Sequence, residues 1–264
     1  MARTFPTDAF RGTAEYYLRY RPPFPPELID DLRARAGAAR PSRLLDLACG
    51  PGRVTFALAA HFDRVDAVDL EPEMIAVARR EAARLERNNI GWSVGRAEEF
   101  AAPDASFDLI TIGDAFHRLD QPRVSELTLA WLKPRGAIAI LGSHDTLSRM
   151  EAWHGVVRSV AEKWTQRPIV YIPANETGPE HCESVLRAAG FDEVGSFEFC
   201  SPLVWAIEDI AGNLYSTSYA SKGALGTNAE AFAAELTDAL LAFDPAGRFR
   251  ETARFGYTFG RKRG

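Results

Sequence analysis

The run Leu44-Leu45-Asp46-Leu47-Ala48-Cys49-Gly50-Pro51-Gly52 constrains this chain more than any other stretch. An apolar strand ends there, and a glycine-rich turn leads into a helix over Arg53 to His61. Glycines in such a turn let the backbone approach a ligand, and the helix N-terminus offers oriented N–H groups. Seventeen residues after Gly52, Asp69 ends a second strand. A carboxylate at that place accepts hydrogen bonds from both hydroxyls of a ribose. The unit is therefore expected to bind a nucleoside-containing ligand.

The flanking sequence alternates strand and helix. Strands are expected over Arg43–Ala48, Arg64–Asp69, Ile90–Val94, Phe107–Ile112 and Ala137–Leu141. Helices fit Glu27–Ala36, Pro72–Arg87 and Val124–Leu132. Strands separated by helices of this length imply a parallel sheet covered on both faces. Beyond Leu141 helices fit Leu147–Lys163, Glu180–Ala189, Ile207–Leu214 and Asn228–Leu241, with strands at Val194–Phe199 and Arg254–Phe259. A long helical excursion before a final strand reads as a cap or lid. The expected fold is α/β: a Rossmann-like, seven-stranded, mostly parallel, doubly wound sheet with an N-terminal arm and helical cap insertions. One domain is expected over 1–264. Its core is about 41–141 plus the strands near 194–199 and 254–259, its arm is 1–40, and its cap segments are about 142–190 and 200–250.

Composition removes several partners. The 31 Lys and Arg against 36 Asp and Glu give a net charge of −5, so no basic face for nucleic acid is expected. Three scattered cysteines, Cys49, Cys182 and Cys200, form neither a disulfide framework nor a zinc set. No metal is expected, because no acidic or Cys/His cluster has ligand spacing. Residues 1–6 lack an apolar signal region, and no run of about 18 apolar residues exists, so a cytoplasmic protein without a membrane partner is expected. It is expected to be a monomer or homodimer.

Two residues narrow the ligand. A dinucleotide fingerprint wants a third glycine where Thr55 stands, and Asp46 would repel a pyrophosphate. A sulfonium amino acid attached to adenosine suits both. Asp46 then either faces the ammonium group or fixes the turn through backbone N–H groups.

Here the sequence resembles the class I S-adenosylmethionine (SAM) dependent methyltransferases, strongly over Pro41 to Leu141. It is most similar to the small-molecule enzymes of the ubiquinone-biosynthesis-like and trans-aconitate-like type. The resemblance rests on the glycine turn, Asp69, Gly95-Arg96-Ala97-Glu98 and Gly113-Asp114-Ala115-Phe116-His117. The stretch from Ala14 to Pro25, with Tyr17, Tyr20, Arg21 and Pro22, is similar to the family's opening motif, with Phe24 where relatives often carry Tyr. The resemblance implies SAM as methyl donor and S-adenosylhomocysteine (SAH) as product. It implies Gly50 and Gly52 against the amino-acid part, Asp69 on the ribose, and Leu70 and Met74 bordering adenine. It puts Ala97 and Glu98 at the adenine amino group, and Asp114, Ala115 and Phe116 along the methionine.

Other roles follow from residue chemistry. Tyr16, Tyr17 and Tyr20 suit a flap over the cofactor, and Arg21 suits a carboxylate of cofactor or substrate. His117, just past the fourth strand, is the candidate base; the alternative is that it only shapes the pocket. His144 and His154 are weaker candidates of the same kind. Trp153, Trp164, Trp205, Tyr215 and Tyr219 lie in the cap, mostly as its core. The expected substrate pocket comprises Tyr16, His117, His144, Trp153, Tyr215 and Tyr219. The expected activity is methyl transfer to a small organic molecule, with the O-, N- or C-acceptor open. Rival readings are a SAM-binding enzyme of this fold that does not methylate, an NAD-dependent oxidoreductase and a non-catalytic partner subunit.

Overall fold

The computed structural model describes residues 8–143, 151–166 and 178–264. Five strands run parallel: β1 (Arg43–Leu47), β2 (Arg64–Asp69), β3 (Ile90–Val94), β4 (Phe107–Gly113) and β5 (Leu132–Ser143). With β6 (Asp192–Ala206) and β7 (Arg248–Arg261) they form one seven-stranded sheet in the order β3-β2-β1-β4-β5-β7-β6. Only β7 runs against its neighbours, pairing antiparallel with β5 and β6. The chain winds outward in both directions from β1 and β4, and open α/β sheets bind ligands at the carboxyl ends beside such a switch point.

The helices are α1 (Ala14–Tyr20), α2 (Pro26–Ala36), α3 (Arg53–Ala59), α4 (Pro72–Arg84), α5 (Gln121–Trp131), α6 (Ala152–Thr165), α7 (Pro179–Ala189), α8 (Ile207–Tyr215), α9 (Lys222–Leu225) and α10 (Ala229–Phe243). Proline at the first position starts α2, α4 and α7, where its fixed φ suits a helix and its missing N–H is not needed. Asp120 accepts the Arg123 N–H and so caps α5.

Alternation along the central strands fills two layers. Leu44 and Leu109 join Leu28, Leu32, Val54 and Leu58 of α2 and α3 on one face. Leu45, Leu47, Ile110 and Ile138 join Val124, Trp131, Cys182 and Leu186 of α5 and α7 on the other. Each fully buried leucine contributes about 2 kcal/mol.

Three features differ from the sequence expectation. The last two strands span 15 and 14 residues rather than six each. They remain paired from Asp192↔Arg261 to Ala206↔Arg248, well past Ser143↔Phe255 where β5 stops. The resulting ribbon rises over the carboxyl edge of the sheet. Pro202 does not end it, because β6 is the edge strand, the place in a sheet where proline is tolerated. Second, the arm contains a helix, α1, which packs on α8 and α4. Third, β5 begins at Leu132, directly after α5. The helix expected from Leu147 is described from Ala152, and residues 147–150 lie outside the described residues. A third apolar cluster joins α6, α8, α9 and α10 to Trp205 and Phe249 of the ribbon and forms the cap.

Candidate active site

The β1–α3 turn is held in an unusual backbone path. Ala48, Gly50 and Gly52 have φ of 51°, 55° and 96°. A Cβ on Gly52 would lie 2.6 Å from the Phe56 ring, and left-handed φ excludes most side chains. Above Gly50 nothing lies within 4 Å of a Cβ position, so the turn presents open backbone. Asp69 clamps this turn from β2. Its Oδ2 accepts the Gly50 N–H at 2.7 Å and its Oδ1 accepts the Glu71 N–H at 2.9 Å. Burial pushes its carboxyl up, and the two N–H groups pull it back. Beside it, Leu70 is 38% exposed and Val94, paired with Asp69 across β2 and β3, is 52% exposed. Exposed apolar side chains at a carboxyl edge are the walls a flat ring would cover.

Asp46 is fully buried beneath the turn. Its two oxygens accept the hydroxyls of Thr55 and, at 2.8 Å, Thr111. The residue that breaks the dinucleotide pattern, Thr55, is thus the partner of Asp46. Burial pushes the Asp46 carboxyl up to about 6 from 3.8, against the pull of both hydroxyls. Between about pH 4 and 6 the unfolded chain ionises first, so stability falls as pH rises, by about 3 kcal/mol once both states are ionised. Asp46→Asn removes this dependence. In thermal melts the variant is expected to gain on the wild type as pH moves from 4 to 7; a constant difference over that range rules the assignment out.

The other wall of the cleft comes from the arm. Tyr17, Phe24, Arg53, Val54 and Gly113 line it together with Asp46 and the turn. Arg53, the first residue of α3, pairs with Asp114 at 2.8 Å, and its guanidinium also donates to the Pro22 carbonyl. It lies over the Phe24 ring, 4.7 Å from its centre. Asp114, at φ 53°, accepts from the Ser143 N–H at 2.6 Å and the Ser143 hydroxyl at 2.8 Å. Tyr17 stands where the flap expected of the arm tyrosines would be, whereas Arg53 carries no expected role in the sequence. A signal existed for Arg53: a cation at a helix N-terminus opposes the dipole, and a broken local rule marks a residue with another task.

His117 sits half-buried in the short turn Phe116–Arg118 after β4. Burial, then the Arg118 charge, pushes its imidazole down to about 4. The ring is therefore neutral at neutral pH but a weak base. Ala115 is half-buried and Phe116 buried in the sheet core. Arg118 reaches the Ser218 hydroxyl at 3.4 Å and Arg21 the Ser216 hydroxyl at 2.8 Å, so both reach the cap loop.

Several expected site residues are placed elsewhere. The Tyr20 hydroxyl donates to Glu208, and a Cβ on Gly212 would lie 2.3 Å from its ring, so Tyr20 fastens the arm to α8 instead of facing the cofactor cleft. Tyr16 stacks on Tyr20 and meets the Tyr215 ring edge-on. Among the three arm tyrosines, Tyr17 lines the cleft. The Tyr215 hydroxyl donates to the Ala229 carbonyl, and the Trp153 indole N–H to the Arg250 carbonyl, which places both in the cap core rather than on a substrate wall. Tyr219 borders the same cluster. Met74 is buried under the arm against Ala14 and Val77, in the cluster on which Tyr17 packs. Glu98 accepts the Asp120 N–H at 3.1 Å, and Ala97 is buried in the core. His144 lies outside the described residues. Among the described residues no group of acidic, His or Cys side chains has the geometry of a metal site, and no helix is long and apolar enough to cross a membrane.

Comparison with known proteins adds to this geometry. Residues 44–136 match the methyltransferase-domain family. An uncharacterized methyltransferase of Schizosaccharomyces pombe is 26% identical over 215 residues, covering 80% of this chain and 76% of its own. An uncharacterized methyltransferase of Mycobacterium tuberculosis is 35% identical over 133 residues, 50% of this chain and 51% of its own. The trans-aconitate 2-methyltransferase of a Mycobacterium species is 29% identical over 152 residues, 53% and 52%. The matched stretch thus spans about half of these mycobacterial proteins. A solved chain from Anaeromyxobacter dehalogenans superposes with a TM-score of 0.62 at 24% identity, covering 92% of this chain and 98% of that one. Phosphoethanolamine N-methyltransferase 2 of Haemonchus contortus, solved with SAM, superposes at 0.55 and 16% identity, covering 98% and 58%. With its sheet order and glycine turn, the chain thus carries a methyltransferase-domain match over residues 44–136 and is similar to methyltransferases over most of its length.

Proposed function

We propose that this protein transfers a methyl group from SAM to a small organic acceptor and releases SAH. The carrying observation is the turn clamped by Asp69. Its open Gly50 backbone, the Asp69 carboxylate and the exposed Leu70 and Val94 lie along the carboxyl ends of β1, β2 and β3, beside the switch point. Bound there, SAM supplies an electrophilic methyl group on a sulfonium. Asp69 keeps lone pairs for the ribose hydroxyls after accepting two backbone N–H groups. Leu70 and Val94 cover the adenine faces. The Arg53–Asp114 pair fixes the edge of β4 and the arm against it, and Tyr17 and Phe24 exclude water from the cleft. The chain contributes alignment and desolvation, which suit a displacement needing little proton transfer. The name of the trans-aconitate relatives favours a carboxylate-bearing acceptor, and Arg21 and Arg118 at the cap loop suit such a group. A cyclase, SpnF, shares the fold at a TM-score of 0.53 and 17% identity, so the non-methylating alternative is separated by turnover rather than by fold.

Calorimetric titration with SAH, SAM and NADH tests the reading. Micromolar SAH and SAM binding without NADH binding is expected, followed by SAH release when SAM-loaded enzyme meets an acceptor panel of carboxylates, phenols and amines. NADH binding alone, or no binding, overturns it.

A further inference from the structure

Two neighbouring faces of the cap are left open by the chain itself. Along the ribbon, Leu203, Trp205, Phe249 and Ala253 point inward to the apolar clusters. His154 is sealed inside the same cap, where its Nε2 lies 2.9 Å from Glu251 of β7. Alternation sends Val204, Arg248 and Arg250 to the opposite side of the ribbon, where all three are exposed. Val204 stands directly across the ladder from Arg250. Helix α10 is divided in a similar way. Its Phe232, Leu236 and Leu240 are buried, while Ala231, Ala234, Asp238, Leu241 and Ala242 form an exposed stripe at helical spacing. A helix that is apolar on both sides belongs between two surfaces, and this chain supplies one.

The large exposed apolar side chains are unevenly placed. Among the described residues there are five, and two of them, Leu70 and Val94, wall the cofactor cleft. The other three, Val204 at 51%, Leu241 at 40% and Phe243 at 48%, all surround the tip of the ribbon. Phe243 packs at 6.4 Å on Phe249, which lies between Arg248 and Arg250. Leu241 and Ile207 crowd the tip turn, 3.7 and 3.5 Å from where a Cβ on Gly247 would stand. Clustered exposed apolar side chains mark an interaction surface. Charge is placed in the same uneven way. Arg254, on the outer ribbon face, reaches Glu198 at 3.7 Å. The side chains of Arg248 and Arg250 make no ion pair or hydrogen bond among the described residues, and neither does that of Asp238 on the α10 stripe. Leu241 and Phe243 lie between the acid and the two cations along the chain. A basic partner would be repelled by the arginines, and an acidic one by Asp238. A second copy of the same surface answers both signs.

We infer that the ribbon tip and α10 form a two-fold interface with a second copy of this chain. Of the monomer and homodimer that the sequence leaves open, this surface selects the homodimer. The two-fold sets Asp238 of each copy against Arg248 and Arg250 of the other, around Val204, Leu241 and Phe243 of both. An apolar centre with a charged rim is the usual anatomy of such a contact. Symmetry makes every contact occur twice, so one substitution acts twice on the dimer. The glycine turn and the cofactor cleft lie outside the interface.

Analytical ultracentrifugation of the full chain decides it. At micromolar concentration the wild type is expected to sediment at twice the 29.1 kDa of one chain. Asp238→Lys is expected to weaken the dimer at least about tenfold, because it sets like charges together at both ends of the interface. The double variant Arg248→Glu, Arg250→Glu is expected to do the same against Asp238. All three side chains are exposed, and circular dichroism checks that each variant stays folded. Mixing the two variants is expected to restore the dimer, since the reversed charges then meet each other at one end and the native ones meet at the other. Val204→Lys, which places a charge in the apolar centre, is expected to be monomeric. A wild type that stays at the mass of one chain overturns the proposal and leaves this face to a partner of another kind. A dimer that survives all these substitutions lies on another surface and overturns it too. Variants that dissociate singly but do not recover on mixing overturn the two-fold pairing of Asp238 with Arg248 and Arg250.

Discussion

Asp69→Ala is expected to weaken SAH binding by about two to four orders of magnitude while the chain stays folded. The carboxylate has two tasks in one place. It would receive two ribose hydroxyls, and hydrogen bonds to a charged group contribute about 1.5–3 kcal/mol each. It also accepts the Gly50 and Glu71 N–H groups, so truncation releases the turn as well as the ligand. Two lost ribose bonds alone correspond to about 3–6 kcal/mol, hence the expected range. Asp69→Asn separates the tasks. It keeps one acceptor oxygen but turns an NH₂ toward one of the two backbone donors, so it should retain less than a tenth of the affinity. Calorimetry with SAH reads the effect, and circular dichroism checks the fold. A dissociation constant within threefold of the wild type in Asp69→Ala would remove the ribose assignment and leave Asp69 as a clamp of the turn only.

The place of Asp69, at the end of β2 beside the glycine turn, was legible because its evidence is local. The strand, the turn and the acid seventeen residues on from Gly52 each obey short-range rules that a sequence displays directly. The same holds for the parallel core, where apolar strands and intervening helices alternate at regular spacing. What stayed hidden depends on pairings across long separations. The ribbon joins Ala206 to Arg248 and carries the cap beyond the sheet. Alternation along β7 is visible, yet nothing nearby in sequence says that β6 accompanies it for its full length. The arm's tyrosines show the same limit. Tyr16, Tyr17 and Tyr20 look equivalent in sequence, and only the docking of α1 on α8 sends Tyr20 to Glu208 and Tyr17 to the cleft. The cap aromatics Trp153 and Tyr215 illustrate the commoner fate of large rings, which is to fill a core.

Arg53→Met is expected to be the most destabilising single change at the site, because it breaks a pair that neither water nor another cation replaces. The side chains of Arg53 and Asp114 are 9% and 15% exposed, and 61 residues separate them in sequence. Removing one partner of a buried pair costs about 3–5 kcal/mol, since the remaining charge is left uncompensated. Here the Ser143 N–H and hydroxyl still donate to Asp114, so the lower end of that range applies. At about 2–4 °C per kcal/mol for a chain of this size, the melting temperature should fall by about 6–12 °C. The loss should reach the arm as well, because the same guanidinium holds the Pro22 carbonyl and covers Phe24. Arg53→Lys should recover only part, as a single ammonium cannot serve the carboxylate and the carbonyl in one planar fork. The double variant Arg53→Met, Asp114→Asn distinguishes charge from packing. If the uncompensated carboxylate carries the cost, the second substitution restores several degrees to the first. If instead Arg53→Met melts within about 2 °C of the wild type, the pair is incidental, and the arm is held over the cleft by its packing on α8 and α4.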